Sequence, residues 1–211
     1  MDRLEKKKRT HKTVEERQSE ILRAASQIFS QHGYKLTDIQ TIAETAGVGK
    51  GTVYRCFSSK ETLFRATIDH HLNALAQHGE WALDSADDPL EKVKAVMLAY
   101  LHFFEDNPEV IELFAQERAE FRDQAESAYL SLMKKNHEKW LELFHEVADR
   151  YECRNIEVEE LMNICSYMMH GAAMMPKPLP QQRSVEQRVA TLFQVYTQGI
   201  LLHPLNDIVV R

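Results

Sequence analysis

Apolar residues recur three and four positions apart along most of the chain, and no stretch alternates apolar and polar residues over the length of a strand. That period predicts an all-α protein. Thr13-Val-Glu-Glu16 has the spacing of a capping box and opens a first helix that ends at Gly33, with Ile21, Ala25, Ile28 and Phe29 on one face. A short second helix follows the box Thr37-Asp-Ile-Gln40, turning Ile39, Ile42, Ala43 and Ala46 inward until Gly47 stops it. A very short third helix runs from about Lys50 to Cys56. A further box, Ser58-Ser-Lys-Glu61, opens a long helix carrying Leu63, Phe64, Ile68, Leu72 and Leu75.

Later boundaries come from the same signals. Asp88-Pro-Leu-Glu91 places a proline at the first helical position behind an aspartate cap, and that helix ends near Asn107-Pro108. A short helix from Pro108 to about Arg118 follows. A long one from Asp123 to Tyr151 carries Leu132, Trp140, Leu143, Phe144 and Val147. Another runs from Glu157 to Met175, and Pro176-Lys-Pro-Leu-Pro180 is a linker because it cannot continue a helix. Ser184-Val-Glu-Gln187 then caps a last helix to about Leu202, with Val185, Val189, Leu192, Val195 and Tyr196 on one side.

Charge changes this picture by dividing the chain. Residues 1–70 hold 13 Lys and Arg against 9 Asp and Glu, whereas residues 71–211 hold 13 against 23, within a total of −6. A basic front on an acidic body fits a nucleic-acid reader joined to a domain that does not touch DNA. Lys6, Lys7, Lys8, Arg9 and Lys12 read equally as a solvated tail and as an arm that extends the footprint. No apolar run approaches the roughly 18 residues of a membrane span, and the start has no apolar stretch behind its charges, so a cytoplasmic location is expected. Cys56, Cys153 and Cys165 form no C-x-x-C pair and read as ordinary thiols.

The stretch AGVGKGTVYRCF, from Ala46 to Phe57, admits two chemistries. A phosphate loop needs Gly-x-x-x-x-Gly-Lys-Ser/Thr after a strand. Counting back from Lys50, the first glycine falls on Glu44, the hydroxylic position is Gly51, and a helix precedes it. A helix-turn-helix fits its context: a short amphipathic helix, a Gly47-Val48-Gly49 turn with one buried valine, and a second helix too short to make a core yet bearing Lys50, Thr52, Tyr54 and Arg55.

Over Thr37 to Phe64, TDIQTIAETAGVGKGTVYRCFSSKETLF, and upstream through Ile21 to Tyr34, the chain resembles the DNA-binding domain of the TetR (tetracycline-repressor-like) transcriptional regulators. The resemblance covers residues 14–66; beyond them only length and helical content match. It implies an N-terminal three-helix helix-turn-helix domain followed by a larger C-terminal helical domain for ligand binding and dimerisation. The expected division is a basic tail at 1–12, a DNA-binding domain at 13–60 with its motif at about 38–57, and an effector and dimer domain at 61–211. Residue by residue, it implies that Thr37 caps a helix, Gln40 contacts backbone or base, Lys50 and Gly51 open the recognition helix, and Thr52 and Tyr54 meet phosphate or a thymine methyl. Lys60 matches the family's phosphate-binding lysine, and Arg55 reaches phosphate or solvent. Gly49 replaces the usual capping serine, and Cys56 replaces an aromatic or histidine, which removes a phosphate contact expected there. Val53 and Phe57 read as core.

The implied function is that of a DNA-binding regulator, a repressor released by a small-molecule effector that shifts the populations of two arrangements through the helix starting at Lys60. One short recognition helix reads few bases, so two copies spanning half-sites roughly 34 Å apart are expected, as a homodimer through about 157–202. Candidate effector contacts are Phe103, Phe104, Phe114, Phe121, Tyr129, Trp140, Tyr167 and Met168, a wall that favours an apolar or aromatic ligand; ordinary core packing explains the same residues. The methionines of Met168-Met-His-Gly-Ala-Ala-Met-Met175 read first as core or dimer seam. Two other readings are a metal-responsive regulator of the same architecture, from the pairs His102 with Asp106 and His145 with Asp149, and a non-specific architectural DNA binder. No cofactor and no membrane partner is called for. Catalysis is not expected, since Cys165 and His170 are merely five apart on one helix.

Overall fold

The computed structural model describes residues 13–121, 126–175 and 183–203. The chain divides into two compact units, Met1–Thr67 and Ile68–Arg211. The basic tail, the expected helix start at Asp123 and the Pro176–Pro180 linker lie outside the described residues.

In the first unit, α1 (Val14–Leu36) opens on the expected capping box: the Thr13 hydroxyl accepts from the Glu16 N–H while the Glu16 carboxylate accepts from the Thr13 N–H. Gly33, at φ +78° and ψ 157°, breaks the helical path in a region essentially confined to glycine, which costs other residues about 1–3 kcal/mol. α2 (Ile39–Thr45) packs on α1, and α3 (Lys50–Cys56) packs on α2. Ile21, Ala25, Ile28 and Phe29 meet Ile39, Ile42, Val53 and Phe57 in the core. α4 (Lys60–Leu83) begins in this unit, where Leu63 and Phe64 are buried and Phe64 meets Phe29 edge-on with ring centroids 5.0 Å apart.

Four local expectations need correction. Asp38, not Thr37, caps α2 by accepting from the Gln40 N–H at 2.8 Å. Thr37 is buried and instead closes α1, its N–H and its hydroxyl both donating to the Gly33 carbonyl. The cap of α4 is likewise one residue later than expected, at Ser59, whose hydroxyl accepts from the Thr62 N–H at 3.0 Å. The turn valine, Val48, is half-buried, and Ala46, at the end of α2, is half-buried too.

In the second unit, α5 (Pro89–Asp106) packs against α7 (Ala128–Arg150), α8 (Val158–Met174) and α9 (Val185–Ile200), with α6 (Glu109–Glu120) between α5 and α7 in the chain. Asp88 caps α5 through two N–H groups, accepts the Tyr151 hydroxyl, and pairs with Arg150 at 3.2 Å. Tyr196 of α9 donates its hydroxyl to the Leu161 carbonyl of α8 at 2.8 Å. Ser184 and Gln187 form the expected capping box of α9. On that helix Val189, Phe193, Tyr196 and Ile200 face inward; Val195 points outward at 58% exposure, so its assignment to the inner side is corrected. The inward row advances by four and three residues, and that spacing leads from Val189 to Phe193 and past Val195.

Candidate nucleic-acid interface and effector region

The α2–turn–α3 segment has two faces. Behind it, Ile39, Ile42, Ala43, Val53 and Phe57 are buried; in front, Gln40, Lys50, Gly51, Tyr54 and Arg55 are exposed. Gly47 makes this possible at φ +66°, letting its own N–H reach the Glu44 carbonyl and the Val48 N–H reach the Ala43 carbonyl as the chain turns. α3 starts at Gly49, which provides no side-chain cap.

Most of the polar groups on this front are held by neighbours within the unit. Gln40 donates its side-chain amide to Glu44 at 2.7 Å, and Arg55 donates to the Thr52 hydroxyl at 3.0 Å. Lys50 lies 3.3 Å from the Asp38 carboxylate, which the Gln40 N–H first and then Lys50 hold below its ordinary pKa. Lys60, in the first turn of α4, donates to the Lys35 carbonyl at 3.0 Å and lies 4.9 Å above the Tyr34 ring. The Tyr54 hydroxyl makes no hydrogen bond among the described residues and stands 45% exposed. Of the sequence candidates, Gln40, Lys50, Gly51, Tyr54 and Arg55 are thus outward, Thr52 and Lys60 half-buried, and Thr37 buried. The sequence reading missed Asp38, whose carboxylate both caps α2 and holds Lys50; its signal was the aspartate one residue beyond the chosen cap.

Two cavities of several hundred Å³ open within the second unit. One, of about 640 Å³, is lined by Phe114, Phe121 and Tyr129 together with Arg118 and Met174; the other, of about 400 Å³, by Tyr129, Trp140 and Tyr167 with Tyr100 and Met162. Tyr129 and His170 border both. Phe103 and Phe104 line neither and are buried against each other, ring centroids 5.2 Å apart, and Met168 lines neither. Phe103 and Phe104 are core residues, because they face inward from α5. His102 pairs with Glu186 of α9 at 2.9 Å, and no group of three or more His, Cys, Asp or Glu able to hold a metal occurs among the described residues. Burial pushes the Cys165 thiol up to about 12, which leaves no thiolate at neutral pH. No helix among the described residues is long and apolar enough to cross a membrane.

Residues 21–67 match the family described as bacterial regulatory proteins, tetR family. A transcriptional regulator of Bacillus subtilis, YhgD, is 33% identical over 121 residues, which cover 57% of this chain and 63% of that protein. The transcriptional repressor KstR2 of Mycolicibacterium smegmatis is 28% identical over 135 residues, 63% of this chain and 66% of that one. The chain thus matches just under two thirds of the length of these relatives. Among solved structures, the ketosteroid transcriptional regulator KstR2 of Mycobacterium tuberculosis superposes with a TM-score of 0.68 at 20% identity, covering 89% of this chain and 96% of that one. PfmR of Thermus thermophilus gives 0.69 at 22% identity, over 85% and 97%. The fold is that of helix-turn-helix regulators with a helical C-terminal domain. Residues 21–67 thus carry the N-terminal DNA-binding domain of the tetR family, and the rest of the chain is similar to such regulators in fold.

Proposed function

We propose that this protein is a sequence-specific DNA-binding transcriptional regulator, a repressor that a small-molecule effector releases from its operator. The observation that carries the reading is the two-faced α2–turn–α3 segment: a fully apolar back, and a front that offers Lys50, Thr52, Tyr54 and Arg55 from a helix too short to serve as core. Such a helix enters the major groove while flanking groups hold phosphate. Tyr54 has an uncommitted hydroxyl to donate, whereas Lys50 exchanges Asp38 for DNA, so part of its charge is already neutralised before binding. Lys60 reaches phosphate from the first turn of α4, and Gln40 does so from the first turn of α2.

Residues 13–60 serve as the reader and 61–211 as the effector and dimer domain. A homodimer through α8 and α9 supplies the second half-site; Tyr167 and Val195, exposed on those helices at 68% and 58%, support that assignment. The cavities around Tyr129 receive the effector, whose binding favours one separation of the two recognition helices over another. The protein acts on operator DNA in the cytoplasm and binds rather than catalyses. The relatives named as repressors lend support to this reading.

The test is equilibrium binding, by fluorescence anisotropy at fixed salt, to the duplex upstream of the protein's own coding sequence and to a scrambled duplex of equal composition. A preference of roughly 10³ is expected for specific readout. Equal affinities count against it.

A further inference from the structure

Where the two cavities of the second unit meet, three side chains from three helices form one hydrogen-bonded relay. The Tyr100 hydroxyl, on α5, lies 2.8 Å from the Tyr129 hydroxyl on α7 and 3.3 Å from Nδ1 of His170 on α8. The Tyr129 and His170 rings pack with centroids 5.3 Å apart. Tyr100 is buried, Tyr129 is half-buried, and His170 is exposed at the rim.

The smaller cavity continues from this relay into an apolar lobe made by Val96, Met133, Trp140, Met162 and Met169. Its volume of about 400 Å³ suits a ring-bearing small molecule. Flexible thioethers and an indole adapt to such a body without dictating its outline.

Burial raises both phenols above their ordinary pKa, and burial together with the nearby Arg118 charge lowers that of His170. All three groups are therefore neutral near pH 7. A neutral relay has two possible directions. If Tyr129 donates to Tyr100 and Tyr100 to His170, Tyr129 is left with a lone pair to offer and Nε2 of His170 with a proton. If the direction reverses, the Tyr129 proton is free and Nε2 accepts. Either way the hydroxyl of Tyr129, a residue that lines both cavities, keeps one unmet role, donor or acceptor, and a ligand hydroxyl can fill both. A carbonyl is served by only one of the two directions, and a carboxylate would have to compete with Glu126 for Lys134, a cation of the cavity lining already paired at 3.1 Å.

We propose that the Tyr100–Tyr129–His170 relay is the polar anchor of the effector site, and that it selects an uncharged ring compound bearing a hydroxyl group, seated in the Met- and Trp-lined lobe. This deepens the effector reading above and rests on it. The anchor ties α5, α7 and α8 to a single ligand atom, so its occupancy couples those helices.

The experiment uses the full chain and three bicyclic probes of near-equal shape: 2-naphthol, naphthalene and 2-naphthoate. Affinities come from calorimetry near pH 7, and occupancy of the lobe from Trp140 fluorescence in a Trp81→Phe background, which leaves one tryptophan. A net hydrogen bond of ordinary strength gives 2-naphthol a preference of roughly fivefold over naphthalene, with quenching of Trp140 and with 2-naphthoate weaker than 2-naphthol. Tyr129→Phe brings naphthol down to naphthalene while leaving naphthalene itself unmoved. His170→Phe, at an exposed position where folding is not at stake, also reduces the preference. The proposal is overturned if naphthol binds no better than naphthalene, if naphthoate binds best, if Trp140 does not respond, or if both variants keep the wild-type preference. DNA binding by the same preparation without probe separates the two failures: intact operator binding with no naphthol preference sinks the anchor alone, and absent operator binding sinks the regulator reading.

Discussion

Val53 and Tyr54 are adjacent on α3, one buried at 1% exposure and the other exposed at 45%, and they separate the back of the reading helix from its front. Val53→Ala removes two carbons from the core, about 1.6 kcal/mol by transfer, to which an unfilled cavity adds roughly 1 kcal/mol. Alanine's better helix propensity returns about 0.5 kcal/mol. The net loss is about 2 kcal/mol, which hydrogen exchange of the α1–α3 amides, followed by mass spectrometry, reads as roughly thirtyfold faster local opening. Tyr54→Phe removes only a hydroxyl that has no internal partner, so the same amides exchange at the wild-type rate. Its expected cost is at the DNA, where a hydrogen bond to a charged phosphate contributes about 1.5 kcal/mol, near tenfold in affinity for each half-site. Because tyrosine is neutral, the salt dependence of binding stays as it was. The reasoning is refuted if Val53→Ala leaves exchange unchanged, or if Tyr54→Phe leaves operator affinity unchanged.

Lys60→Ala lowers operator affinity and reduces the salt slope by about one unit per half-site, measured by anisotropy across a salt series. Gly47→Ala meets no atom within 4 Å, so its expected cost of about 1 kcal/mol is purely conformational, seen in urea unfolding of the first unit; Gly51→Ala, also in open space, raises helix stability by up to about 1 kcal/mol and any penalty falls on DNA binding alone. Burial lowers the His71 pKa to about 4, so the unfolded chain binds the extra proton between about pH 6.5 and 4. Stability therefore falls on acidification through that window and is unaffected by this group above it, and His71→Gln flattens the slope in pH-dependent unfolding. Val195→Glu, on the outward side of α9, shifts the protein from dimer to monomer in sedimentation experiments; an unchanged dimer moves the interface elsewhere.

Local signals were legible in the sequence wherever the whole device lies within a few residues. The Thr13–Glu16 and Ser184–Gln187 boxes each close over three residues, and Gly47 takes the positive φ of its turn without steric cost. Where two capping residues stand side by side, the choice depends on where the preceding helix ends. Thr37 is spent on the Gly33 carbonyl, which leaves Asp38 to cap α2, and Ser59 rather than Ser58 caps α4 for the same kind of reason. The outward turn of Val195 reflects packing of α9 on α5 and α8, which no window on one helix contains. The front of the reading helix was visible as a set of residue types, but its internal pairings were not: the Lys50–Asp38 contact joins positions twelve apart across the turn. The Tyr100–Tyr129–His170 relay joins residues 29 and 70 positions apart, and the sequence pointed to Tyr129 alone of the three as an effector contact.

Selection from a pool of random DNA duplexes, with the full chain as bait and rising salt as the stringency, tests the claim of specific reading without assuming where the operator lies. The account predicts enrichment of a palindrome whose half-sites are about one helical turn or a multiple of it apart, and loss of that enrichment with Tyr54→Phe and Lys60→Ala together. A pool that binds with no sequence enrichment, or an enriched motif that the double variant recovers equally well, would contradict it.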